Sequence, residues 1–465
     1  MTARNIASEQ FPILKNLVRW TVMVIPVAIV TGSMVALFLW LLHSVTDIRF
    51  NNPYLLFFLP LAGLLIHIIY KGIGQSSEKG NNLIIDEIHS PGGGIPKRMA
   101  PIVLLSTVLT HLFGGSAGRE GTAVQIGGSI AQMFGSWFKL QKKDMTILLT
   151  AGVAAGFGAV FGTPLTGAIF AMEVLTIGRI QYDALLPCLI ASIAGDATVS
   201  AWGIHHTTYH IDVFHSAPGL FSSYLSPDFY LLLKVIIAAI AFGLSSYLFS
   251  ILVYGIKNFF VSRFTIKWLI PVTGGLIIIG LTYVTGKPDY LGLGVDSQYA
   301  GAVTIPSAFK AGGADTWSWL WKTLYTCLTL GTGFKGGEVT PLFYIGATLG
   351  NTLSILLDAP VGLFAALGFI AVFAGATNTP LACTIMGVEL FGSEYIIFFA
   401  TACFVAYFFS GHSGIYSSQR IAVPKILNSR FSEETSLSES NQRRGRRMRW
   451  KLAKYIIALK NRRRQ

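Results

Sequence analysis

The chain has 465 residues, of which 52% are hydrophobic and only 12% charged, with a mean hydropathy of +0.58. These values describe a polytopic membrane protein. The net charge of +13 does not point to nucleic acid: of 35 Lys and Arg, eleven lie between Asn441 and Gln465 with no acid among them, which leaves 24 basic against 22 acidic residues elsewhere.

Apolar runs fall near 18–45, 54–71, 99–113, 146–161, 181–202, 229–256, 267–286, 343–375 and 381–409. About 20 residues make an ordinary span, so several of these are short, and many are broken by Gly and Pro. Broken segments survive in a bilayer only where protein or a watery cavity covers them, which is the habit of channels and transporters. Residues 1–14 are read as a cytoplasmic lead-in and Leu17–His43 as the first long helix. The N-terminus is polar through Gln10 and the first apolar run is too long for a leader, so no cleavable signal is expected.

After a second span, Tyr54–Tyr70, comes Asn81-Asn-Leu-Ile-Ile-Asp-Glu-Ile-His89 behind Gly80. Asn81 either caps a helix or offers its amide to an ion. Asp86 and Glu87 are expected to pair locally or face the interface. The loop Ser90–Arg98 is expected in the cytoplasm.

The stretch Gly114-Gly-Ser-Ala-Gly118-Arg-Glu-Gly-Thr-Ala-Val-Gln-Ile-Gly127 then places Glu120 among small residues inside the membrane, where a charge is costly and usually functional. A helix starting at a glycine-rich turn presents free N–H groups and a positive dipole end, so it can hold an anion. Arg119 either neutralises Glu120 or attracts anions. Downstream, Ala151–Glu173 is rich in small residues and reads as close helix packing.

The most informative pattern is an internal repeat. Thr163-Pro-Leu-Thr-Gly-Ala-Ile-Phe-Ala-Met-Glu173 aligns without gaps on Thr379-Pro-Leu-Ala-Cys-Thr-Ile-Met-Gly-Val-Glu389. Glu120-Gly-Thr122 then falls opposite Glu338-Val-Thr340, and Gly128 opposite Gly346. Two halves would each donate a glycine-rich turn, an acid and a helix start to a shared site. Glu173 and Glu389 read as paired structural acids that cap or tie equivalent helices.

The segment 203–228 carries no Lys or Arg and is expected outside the cytoplasm, whereas the basic C-terminus is expected inside it, against anionic lipid. His205, His206 and His210 lack a completing Cys or acid and read as a wet loop. Cys188, Cys327, Cys383 and Cys403 lie singly in apolar stretches, as small core residues. Tyr416, at a glycine-rich break, either donates its hydroxyl to an ion or anchors at the interface.

These motifs resemble the CLC family of chloride channels and proton-coupled anion antiporters over about 15–420. The parts that carry the resemblance are Gly118-Arg-Glu-Gly121, Gly337-Glu-Val-Thr-Pro341, the two Thr-Pro-Leu…Glu segments and Tyr416. It implies an all-α membrane fold of two inverted halves, with many tilted, partly spanning helices, and a homodimer. Glu120 would be the gating and proton-carrying acid. Asn81 would hold the first-turn position, a serine in chloride-selective members and a proline in nitrate-selective ones, while Val339, Thr340 and Tyr416 would contribute to the central site. Gly118, Arg119, Gly121 and Thr122 complete the expected anion contacts.

Four departures narrow the resemblance: Thr122 replaces a proline, Asn81 a serine, Glu338 an apolar residue, and Val174 the internal proton-transfer glutamate. Together they are similar to the bacterial fluoride-exporting branch, with Glu338 either a second proton stop or a structural acid. The expected activity is fluoride export in exchange for protons at the inner (plasma) membrane, without cofactor or catalysis. The alternatives are a chloride/proton antiporter, a passive chloride channel or, more remotely, a serine hydrolase using Ser116 or Ser413 with His111 or His412. The implied organisation is a first half at 15–202, a loop at 203–228, a second half at 229–420 and a tail at 421–465 without room for a regulatory domain pair.

Overall fold

The computed structural model describes residues 3–209, 211, 229–425 and 435–439. The described residues are mostly helical. In order, the α-helices are α1 (Ala3–Asn51), α2 (Leu59–Ile69), α3 (Asn81–His89), α4 (Met99–Leu112), α5 (Glu120–Trp137), α6 (Lys142–Phe161), α7 (Pro164–Glu173), α8 (Leu185–Ala201), α9 (Phe229–Arg263), α10 (Leu269–Thr285), α11 (Ser318–Gly331), α12 (Val339–Leu356), α13 (Val361–Thr377), α14 (Pro380–Phe391) and α15 (Ile396–Phe409). Among the described residues one small sheet pairs β1 (Thr176–Ile177) in parallel with β2 (Arg420–Ile421). We call outer the face carrying 203–209 and inner the face carrying Ser90–Arg98 and 420–425.

Among the described residues, six helical stretches are long and apolar enough to cross a membrane, and several others are shorter apolar helices. At 1.5 Å per residue the 49-residue α1 is more than twice as long as a bilayer core is thick, so it must tilt and project beyond it. Two readings are corrected here. The lead-in proposed for 1–14 is helical from Ala3, because nothing before Pro26 interrupts hydrogen bonding except Pro12, which the helix absorbs. The runs 343–375 and 381–409 are each two helices, broken at Asp358-Ala-Pro360 and at Gly392, where φ is positive.

The repeat is visible in the geometry, but its register differs by one residue from the alignment of the two acids. Helices α4 and α11 have 14 residues each and α5 and α12 have 18 each. Arg119 precedes the first residue of α5 and Glu338 precedes that of α12. After these helices come Lys139 and Asp358, both at positive φ (51° and 46°). This register sets Glu338 opposite Arg119, and Val339 opposite Glu120. It also moves the partner of Gly346 from Gly128 to Gly127. A Cβ on Gly127 would collide with the Gly152 carbonyl, and one on Gly346 with the Gly368 carbonyl, so each half crosses α5 on α6, or α12 on α13, through a glycine pair.

The halves are also tied by exchanged caps. Glu173, at the end of α7, accepts hydrogen bonds from the Leu381 and Ala382 amides (3.1 and 2.7 Å) at the start of α14. Glu389, on α14, accepts them from the Leu165 and Thr166 amides (both 2.8 Å) and the Thr166 hydroxyl (2.6 Å) at the start of α7. The acids therefore satisfy orphan donors and the helix dipole of the opposite half, as expected of structural acids.

Candidate functional site

The site is built from backbone outward. The glycine-rich turns of the two halves meet in an antiparallel bridge: the Gly118 amide donates to the Gly337 carbonyl at 2.6 Å, and the Gly337 amide to the Gly118 carbonyl at 2.7 Å. Helices α5 and α12 each start two residues beyond their bridge glycine, so their unpaired N–H groups open close to it. Only glycine suits the crossing, since a Cβ on Gly337 would lie 2.8 Å from the Gly121 nitrogen.

Glu120 lies there and is 1% exposed. Its Oε2 accepts from the Thr340 amide of α12 at 3.0 Å and from the Arg119 amide at 3.1 Å, while Oε1 accepts the Thr340 hydroxyl. Arg119 Nε stands 3.6 Å from Oε1, close enough for attraction but not hydrogen-bonded. The carboxylate thus sits against the opposite half's helix start, a place that favours an anion.

A small cavity of about 20 Å³ lies on its outer side, lined by Arg119, Glu120, His206, Thr340, Phe343 and Phe369. Another of about 20 Å³ lies inward, lined by Asn81, Ile85, Val124, Phe170, Val174 and Tyr416. Each has room for about one water-sized particle. Gly121 lies beside both the Asn81 amide and Glu338: a Cβ there would stand 2.9 Å from Asn81 Nδ2 and 3.8 Å from a Glu338 carboxylate oxygen.

The remaining expected site residues are placed as follows. Asn81 is the first helical residue of α3, and its Oδ1 is buried without a partner; the position before it belongs to Gly80 at φ 59°. Tyr416 is 4% exposed and faces the inner cavity, so it is no interfacial anchor. Val339 is buried at the start of α12. Glu338 is half-buried, and among the described residues no cation lies within ion-pair distance of it. Two residues are not brought to an anion seat. The Gly118 amide is spent on the bridge, and the Thr122 hydroxyl is hydrogen-bonded to Thr107 of α4 at 2.8 Å.

Other local readings resolve as well. Glu87 accepts from the Gly92 and Gly93 amides and Asp86 pairs with Lys79. His206 is half-buried over the outer cavity rather than wet, and burial, with Arg119 and His205 adding to it, lowers its pKa to about 4. Tyr209 stacks on Phe309, and His210 lies outside the described residues. All four cysteines are free and buried. The hydrolase pairing is not assembled: the Ser116 hydroxyl is bonded to Thr326, and the Ser413 hydroxyl donates to the Ser410 carbonyl.

Sequence reasoning missed Gln419, Lys335 and Lys257. Gln419 is fully buried and donates from Nε2 to the carbonyls of Val174 and Thr377, both at 2.7 Å, one from each half. Lys335 lies with its Nζ 4.2 Å from the centre of the Tyr70 ring, and with Lys257 it lines an inner cavity of about 610 Å³. Lys335 sits three residues before Glu338, in the glycine-rich turn, which was the only available signal.

The voltage gated chloride channel family model matches residues 62–411. A chloride/fluoride channel protein of Pseudomonas syringae pv. tomato is 44% identical over 440 residues, which cover 93% of each chain. The crystal structure of a CLC-type fluoride/proton antiporter superposes with a TM-score of 0.80 at 33% identity, covering 87% of this chain and 98% of that one. A slow cyanobacterial Cl⁻/H⁺ antiporter shares the fold at a TM-score of 0.68 and 21% identity, over 84% and 94% of the two chains.

Proposed function

The chain belongs to the voltage gated chloride channel (CLC) family, and from that premise we propose that it exports fluoride across the bacterial inner membrane in exchange for protons, as a homodimer with its inner face and C-terminus in the cytoplasm. The observation that carries this reading is the Glu120 carboxylate seated on the start of α12, in the place of an anion. A fluoride arriving from the inner cavity competes for the Thr340 amide and hydroxyl. Once displaced, the carboxylate loses its donors in a water-poor site, where the charged form is costly, so it takes a proton. Neutral Glu120 leaves the seat to the anion. When the anion departs outward, Glu120 returns its proton inward and reseats as a carboxylate, which couples the two fluxes through one two-state element.

Fluoride is small and strongly hydrated, so its site must replace water with close, strong donors. The Thr340 hydroxyl and amide, the Asn81 amide and the first N–H groups of α5 are such donors. The similarity to the fluoride/proton antiporter and to the Pseudomonas chloride/fluoride channel protein supports fluoride as the substrate. Val174 leaves the inner cavity without an acid, and we assign the inward proton step to Glu338, which lies beside Gly121 and Asn81.

The test is efflux from liposomes holding the purified protein, with fluoride or chloride inside and external pH recorded, for wild type and Glu120→Gln. The proposal expects fluoride efflux with simultaneous proton uptake, and loss of the coupled flux in the variant. Rapid chloride efflux without proton movement would instead make the protein a channel.

A further inference from the structure

Beyond the Glu120 seat, an outer vestibule of about 400 Å³ opens between the end of α1, the segment 203–207 and the segment 293–296. Its wall includes Arg49 and Arg119. Arg119 also lines the small cavity over Glu120, as do His206 and Val295, so these residues partition the vestibule from the gating acid.

Arg49 is anomalous. It is 9% exposed, its Nη1 is buried without a hydrogen-bond partner, and among the described residues no carboxylate lies within ion-pair distance of it. Its guanidinium rests on the Phe50 ring at 5.0 Å. Arg119 is alike in having an unpartnered Nε, with only the Glu120 carboxylate nearby. A buried, unpaired guanidinium is costly unless something anionic compensates it.

The acids of the vestibule do not supply that compensation. Asp47 is tied to His43 at 3.5 Å, and Asp296 is exposed and accepts from the Ser297 amide. His205 and His206 complete the titratable groups of the wall, and His206, with its pKa lowered to about 4, is neutral near pH 7. The vestibule is therefore segregated, with carboxylates toward solvent and guanidiniums inward.

We propose that the inner end of this vestibule, between Arg49 and Arg119, is a further anion-binding site that holds a monovalent halide, still partly hydrated, between its departure from the Glu120 seat and release. The site deepens the export reading and rests on it for the direction of travel. Its volume admits an anion with its water, and guanidinium donors replace only part of the hydration shell. It is accordingly less discriminating among halides than the seat at Thr340, and larger halides occupy it too.

Two measurements test this. In liposomes, external fluoride slows wild-type fluoride efflux saturably, and Arg49→Gln raises the half-inhibiting concentration about tenfold, the effect of one lost charge-assisted hydrogen bond. Arg49→Lys stays within about threefold of wild type. An unchanged half-inhibiting concentration in a folded Arg49→Gln protein overturns the proposal. Because that variant removes a buried group and can fail to fold, crystals of the unaltered protein soaked in bromide provide the second readout: an anomalous peak within about 4 Å of both guanidiniums is expected, and its absence overturns the site. The bromide result is read without transport. A wild-type protein that moves no fluoride would thus sink the export reading while leaving the site to be judged by the peak.

Discussion

At the scale of single residues, the position of Glu120 follows from donors rather than from its own polarity. A carboxylate bonded to two amides and a hydroxyl is stable in an apolar surround only while those donors face it. Glu338 has no such set, and it stands where the other half has Arg119. Glu338→Gln is expected to keep the fold and the anion seat but to lower coupled exchange at least tenfold, measured as proton uptake during fluoride efflux; full coupling in the variant would reduce Glu338 to a structural acid. Asn81 lines the inner cavity, where the proposed function uses its amide as a donor. Asn81→Ala is expected to raise the internal fluoride concentration for half-maximal efflux by about tenfold, the cost of one hydrogen bond to an ion. His206 gives a pH effect whose sign can be worked out. The unfolded chain protonates this imidazole near its ordinary value of 6.5, while the folded chain resists until about 4. Its contribution to stability is present above 6.5 and is lost as pH falls to 4. His206→Gln therefore shows a smaller drop in Tm between pH 7 and pH 4.5 than wild type.

At the scale of elements, the exchanged caps explain why two glutamates recur at the ends of α7 and α14. Each neutralises the helix start of the other half, so neither half can rotate away without stripping two amides of their acceptor, a buried one for Glu173 and a half-buried one for Glu389. Glu173→Gln and Glu389→Gln are each expected to cost about 1–2 kcal/mol and to lower Tm by a similar few degrees, with coupling unaffected. The glycine crossings make a sharper test. Gly346→Ala drives a Cβ into the Gly368 carbonyl and is expected to destabilise severely, whereas Gly72→Ala, with nothing within 4 Å of the added carbon, is not. The repeat was legible in the sequence through its Thr-Pro-Leu…Glu segments, because caps leave identities behind. Its register at the site was not: matching Glu120 to Glu338 follows residue identity, while the chain aligns helix starts, bridge glycines and positive-φ turns, which identity does not record. Likewise Gln419 left no motif, since its task is to reach two carbonyls brought together only by the fold.

At the scale of the whole molecule, the apolar runs and glycine-rich turns sufficed for the all-α membrane architecture, because spanning length and close packing are set by composition. Reading the chain after Arg420 only as a basic tail was less sufficient. Thr435–Glu439 returns to the inner face: the Ile421 amide donates to the Thr435 carbonyl at 3.1 Å, the Leu437 amide to the Gln419 carbonyl at 2.9 Å and the Ser438 amide to the Ser417 carbonyl at 3.0 Å. Leu437 is fully buried against Ile177 and Ile421. Ser417 directly follows Tyr416, which lines the inner cavity, and Gln419, three residues after Tyr416, holds Val174, which lines it too. Thr435–Glu439 thus packs directly behind residues that line or hold the inner cavity. Leu437→Ala removes the anchor, a loss of about 2–4 kcal/mol of burial for a leucine in a closed pocket, felt by this local unit before the membrane core. On the proposed export reading, the expected result is slower fluoride turnover with an unchanged ratio of protons to anions, because the inner mouth loosens while Glu120 keeps its donors. If Leu437→Asp, which also places a charge in that pocket, leaves turnover at the wild-type rate, the tail has no part in shaping the inner mouth.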